Sequence, residues 1–91
     1  PLYVVVATQG KGDAKALAEA LAAGPAYAAF VGSRAKAARL RETLASQGID
    51  AAALESLRAP AGLDIGAATP GEIALSILAE IVQARRRETQ P

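Results

Sequence analysis

Ninety-one residues with ten Lys and Arg against nine Asp and Glu carry a net charge of +1, too little positive field to drive nucleic-acid binding by phosphate neutralisation. The chain has no cysteine and no histidine, which excludes disulfides, thiolate or imidazole metal sites, and any Cys- or His-dependent catalytic group of its own. Hydrophobic residues make up 52%, much of it alanine, and aromatics only 3%. That composition predicts one helix-rich globular domain over residues 1–91, with no membrane-spanning run and no signal peptide, so the cytoplasm is the expected setting.

Leu2–Val6 is a short β-branched run, predicted as a strand buried on both faces. Gln9-Gly10-Lys11-Gly12 forms a turn, and Asp13 is placed to cap a helix over Ala14–Ala23, which Gly24-Pro25 stops. Ala26–Val31 is the second strand candidate. Gly32-Ser33 then leads into a helix over Arg34–Gln47, with Ser33 as its cap and Gly48 at its stop. On that helix Ala37, Leu40 and Leu44 lie inward, while Arg34, Lys36, Arg39 and Arg41 read as a solvated face, the alternative being a docking surface for an acidic partner. Asp50–Leu57 predicts a short helix capped by Asp50. Arg58–Ala68 is a glycine-punctuated loop, with one extended segment near Leu57–Ala59.

The last helix, from Pro70 to Arg86, is the best specified. Thr69 caps it, Pro70 suits a first position that needs no donor, and Glu72 completes a capping box three residues after Thr69. Ile73, Ala74, Ile77, Leu78, Ile81 and Val82 recur at helical spacing and predict a core-facing stripe. Glu42, Glu55, Glu80 and Glu88 read as solvated helix positions. Thr89-Gln90-Pro91 is expected to fray.

Strand–helix–strand–helix is a βαβ unit, which requires parallel strands. The predicted fold class is therefore α/β: half of a Rossmann-like fold, with a two- to three-stranded parallel sheet flanked by three to four helices. So small a sheet leaves unpaired edges, and either a second copy or a missing first half is expected to complete it.

Three stretches are candidate binding elements. Gly10, Lys11 and Gly12 follow a strand and open a helix, where amides can cradle a phosphate, yet the third glycine of the dinucleotide fingerprint is absent. Gly32, Ser33 and Arg34 hold the equivalent place after the second strand. Either Arg34 clamps an anion beside Ser33, or Ser33 is only a cap and Arg34 a solvated first-turn residue. Gly62, Asp64 and Gly66 form a loop with one carboxylate, which either meets a ribose or pterin donor or pairs locally.

The string APAGLDIGAATPGEIALSILAEIV, residues 59–82, resembles the C-terminal signature of the XdhC/CoxI family, accessory proteins of molybdenum hydroxylases such as xanthine dehydrogenase and carbon monoxide dehydrogenase. YVVVATQGKGD at Tyr3–Asp13 and FVGSRAKAARL at Phe30–Leu40 stand in the family's order, so the resemblance runs from about Tyr3 to Arg85. It implies a Rossmann-like domain that follows a separate N-terminal domain. It also implies a factor that binds or delivers molybdenum cofactor (molybdopterin) to a molybdenum hydroxylase apoprotein without being an enzyme itself. Two other readings are a nucleotide-dependent oxidoreductase half-domain using NAD(P), and a non-catalytic assembly domain.

Overall fold

The computed structural model describes residues 1–8 and 12–89. Its elements run β1 (Tyr3–Val6), α1 (Asp13–Ala22), β2 (Tyr27–Phe30), α2 (Arg34–Ser46), α3 (Ala51–Ser56) and α4 (Pro70–Thr89). Strand β1 pairs in parallel with β2, Tyr3 level with Tyr27 and Val6 with Phe30. This is the predicted α/β half-fold. Element bounds differ from the sequence expectation by one residue at most ends, and α4 continues three residues beyond Arg86.

The extended segment expected near Leu57–Ala59 is present as a single parallel bridge between Arg58 and Ala29. The Arg58 N–H donates to Ala28 O and the Phe30 N–H to Arg58 O, both at 2.9 Å. Strand β2 is thus flanked on both edges, and all four of its residues are buried. Strand β1 is the exposed one. Val4 and Val6 face the core, whereas Val5 is 41% exposed, so the expectation that β1 is buried on both faces does not hold. Among the described residues β1 pairs with β2 alone, and a strand at a sheet margin keeps one side accessible.

One face of the sheet carries the core. Val6, Ala28 and Phe30 pack with Leu17 of α1, Ala37 and Leu44 of α2, and Leu57. Leu17, Phe30 and Leu44 are fully buried, each contributing about 1.5–3 kcal/mol of transfer free energy. The helix ends differ from the sequence reading in two places. Gly12, with φ of 75°, is the N-cap of α1, and Asp13 lies buried in the first turn, 3.7 Å from Lys36 Nζ. Asp50 occupies the N-cap position of α3 but makes no side-chain cap bond. Ser33 caps α2 as expected, accepting from Lys36 N at 3.1 Å. The basic set on α2 is not uniformly solvated either: Arg41 donates to Leu54 O and Leu57 O at 2.6 and 2.8 Å, closing the carbonyl end of α3.

The opposite face of the sheet, on which Tyr27 lies, is met by α4 in an unexpected orientation. Its buried residues are Ser76 and Glu80, at 3% and 7% exposure, while Leu75 and Leu78 are 60% exposed and Val82 45%. Of the apolar stripe predicted to face the core, Ile73, Ala74, Leu78 and Val82 are exposed and only Ile77 and Ile81 are half-buried. The cause is the Glu80 carboxylate, read from sequence as solvated. Its Oε1 accepts from Tyr27 Oη at 2.7 Å and from the Gly62 N–H at 2.9 Å. A buried carboxylate must be hydrogen-bonded, and only this rotation of α4 supplies both donors. Burial first, and the Glu80 carboxylate second, push the Tyr27 hydroxyl pKa above the ordinary tyrosine range.

Tyr27→Phe should therefore lower stability by about 1–3 kcal/mol, the cost of leaving a buried acceptor short of one donor. For a domain of this size that is a drop in Tm of several degrees, readable by calorimetry. An unchanged Tm would show that Glu80 does not depend on the hydroxyl.

Candidate functional site

Loop 58–69 returns across the carboxyl end of β2 and borders a half-open pocket of about 530 Å3, within the roughly 300–1,000 Å3 of small-molecule sites. Gly32 and Arg34 form one wall, Pro60 to Ala67 a second, and Ile73 and Ser76 of α4 a third. The first half of the loop is tied down at two points. The Ala61 N–H donates to Phe30 O at 2.8 Å and the Leu63 N–H to Ser76 O at 3.1 Å. Carboxyl edges of parallel strands are where open α/β folds take ligands.

Two helices begin at this pocket, and their amide ends differ. At α4, Glu72 Oε1 accepts from the Ala68 and Thr69 N–H groups at 2.8 and 3.1 Å, and the Glu72 N–H donates to Thr69 Oγ1 at 3.2 Å. That is the predicted capping box. The backbone donors, Ala68 foremost, hold the Glu72 carboxyl below the usual carboxylate range. A carboxylate already occupies this helix end. At α2 there is no acidic residue in the first turn, so the favourable position for a negative group at its N-terminus remains for a ligand. Arg34 stands at that end, its guanidinium 3.6 Å from the Asp64 carboxylate with both side chains more than four-fifths exposed. An ion pair so exposed contributes only about 0–1 kcal/mol, so an incoming anion competes with Asp64 on nearly equal terms.

Five of the predicted residues, Gly32, Arg34, Gly62, Asp64 and Gly66, line this one pocket. Ser33 does not line it; its hydroxyl is spent on the α2 cap. Gly12 lies elsewhere, in a shallower hollow with Asp13, Lys36 and Arg39. Gly10 and Lys11 lie outside the described residues. Packing accounts for two of the glycines. A Cβ on Gly32 would collide with the Phe30 ring, and one on Gly62, at φ of 100°, would collide with Ser76 Oγ. Gly66, at φ of 75°, has open space around its missing side chain, which leaves backbone conformation as its requirement.

Sequence reasoning missed Ser76, Glu80 and Tyr27 as the residues that hold the loop against α4. A signal was present: Ser76 and Glu80 stand four apart, on one face of a helix otherwise rich in Ile, Leu and Ala. Among the described residues no group of three or more His, Cys, Asp or Glu is placed to hold a metal ion, and no helix is long and apolar enough to cross a membrane.

The XdhC Rossmann domain, as a sequence family, matches residues 1–81 of this chain. The chain belongs to that family. The chain is also similar to YqeB of Escherichia coli strain K12, an uncharacterised protein, at 36% identity over 83 residues. Those residues are 91% of this chain and 15% of YqeB, so the chain spans about 15% of the length of that curated relative. In this XdhC Rossmann domain residues 59–82 build the pocket loop and the part of α4 that seats on it.

Gly62→Ala should cost more than Gly66→Ala, because the first adds a collision with Ser76 to the strain of positive φ, which alone is about 1–2 kcal/mol. Urea melts of the two variants check the order. Equal losses would mean that Ser76 gives way freely.

Proposed function

We propose that this pocket takes the phosphate-bearing pterin of the molybdenum cofactor as cargo. The domain then acts in the maturation of molybdenum hydroxylases, as a binding and delivery factor and not as an enzyme. Membership of the XdhC Rossmann domain family supports the reading. The observation that carries it is the convergence of Arg34, the acid-free N-terminus of α2 and Asp64 on one pocket at the carboxyl end of β2.

The donor set fits such a molecule. Arg34 and the first-turn amides of α2 suit a phosphate, since guanidinium–phosphate pairs are charge-assisted and can be bidentate. Asp64 offers a carboxylate to the amino edge of a pterin. Leu63, Ile65 and Ile73 provide apolar wall for a flat heterocycle. Binding moves Arg34 from the Asp64 carboxylate to the phosphate, which frees Asp64 for the ring donors. The hydroxylase apoprotein is the proposed recipient and the cytoplasm the proposed setting.

Arg34→Ala should weaken binding of molybdopterin about 10- to 100-fold, the loss of a hydrogen bond to a charged group at about 1.5–3 kcal/mol. Arg39→Ala, on the same helix but outside this pocket, should leave affinity within twofold. Titration calorimetry with both variants decides; equal affinities would reject the site.

A further inference from the structure

We propose that Asp64 reads the amidine edge of whatever ring enters the pocket, so that guanine nucleotides share the site with the pterin. This rests on the proposed role of the pocket, since the same Arg34 and Asp64 are used. A carboxylate offers two acceptor oxygens and no donor. It pairs best with two N–H groups side by side, in two parallel charge-assisted bonds. Guanine and pterin both present that pattern, a ring N–H beside an exocyclic amino group. Adenine and cytosine carry a bare acceptor nitrogen in place of the ring N–H, and its lone pair would face the carboxylate.

Spacing within the site suits this class. Arg34 is the first residue of α2, and its guanidinium comes to 3.6 Å from the Asp64 carboxylate. The α2 amides therefore lie at the root of that side chain and the carboxylate at its tip. A nucleoside monophosphate likewise carries its phosphate and its pairing edge at opposite ends, and about 530 Å3 leaves room for the ribose between them. The walls beside the carboxylate suit a flat ring. Leu63 and Ile65 flank Asp64 in sequence and line the pocket with Ile73. Ile65 is 54% and Ile73 37% exposed, apolar surface open to a ring face. The ion pair itself couples the two ends. A phosphate at the start of α2 draws the guanidinium away from Asp64, because an exposed pair holds it only weakly. The carboxylate is then free to take both ring donors, so phosphate and base each favour the binding of the other.

Titration calorimetry with guanosine, adenosine and xanthosine monophosphates tests this. Guanosine monophosphate should bind about 10- to 100-fold tighter than adenosine monophosphate, the discrimination of one bidentate pair, and should displace molybdopterin. Guanosine without its phosphate should bind at least about tenfold weaker than the nucleotide. Asp64→Asn turns one acceptor into a donor, and xanthine has a carbonyl where guanine has its amino group. That variant should therefore prefer xanthosine monophosphate to guanosine monophosphate. Because Asp64 is well exposed, its thermal melt should match that of the unaltered chain. Equal affinity for the guanine and adenine nucleotides would overturn the inference, as would a guanine preference that Asp64→Asn leaves intact. Molybdopterin bound without any binding of guanosine monophosphate would overturn it too, while leaving the proposed cargo in place. Guanosine monophosphate bound with this selectivity, and molybdopterin not bound, would remove the cargo alone.

Discussion

One carboxylate oxygen organises the molecule. Glu80 Oε1 accepts from the Tyr27 hydroxyl of β2 and from the Gly62 N–H of the loop, joining strand, loop and final helix at a single buried point. The bond decides which side of α4 faces the sheet, and therefore which side faces outward. It also fixes Gly62 beside Ser76 so closely that no side chain fits between them. The loop between Gly62 and Thr69 is consequently suspended from two firm points, the Glu80 contact and the Thr69–Glu72 capping box, with Asp64 and Gly66 in the span between.

The pocket draws its chemistry from what each helix end leaves available. Nature of the cap, not proximity, separates them: Glu72 fills the amide end of α4, whereas Ser33 satisfies one amide of α2 and brings no charge. Arg34 is held by nothing stronger than an exposed pair with Asp64. Such a site is open to a ligand that carries both an anion and donor groups, since one component engages each member of the pair. Inorganic anions alone would meet the carboxylate as well as the guanidinium. Placement at the carboxyl end of β2 follows from the parallel βαβ order.

Local rules read much of this from sequence. The strand–helix alternation predicts the parallel pair, Ser33 and the Thr69–Glu72 box predict two helix starts, and the glycine loop with Asp64 points to the pocket. What could not be read depends on long-range partners. Glu80 looks solvated because nothing within α4 marks it; its donors lie 53 and 18 residues away. Once that acid is buried, the apolar stripe beside it turns outward, against the periodicity argument. Asp13 looked like a cap because caps are local; Gly12 took the position in left-handed geometry and Asp13 turned towards Lys36. Arg41 was read as surface charge, and the carbonyls of Leu54 and Leu57 that it meets belong to another element. Gly32 and Gly62 stand in the candidate binding stretches, and the Phe30 ring and Ser76 hydroxyl give each a packing reason as well.

The most direct test of this organisation is hydrogen exchange at one amide. The Gly62 N–H sits in a loop, where amides ordinarily exchange quickly, yet it donates to a buried carboxylate. Its protection should match that of the Val31 N–H, which donates to Val6 O within the sheet, and should fall to loop levels in Glu80→Ala while Val31 stays protected. A Gly62 amide that exchanges as fast as exposed loop amides in the unaltered chain would contradict the claim that Glu80 holds strand, loop and helix together.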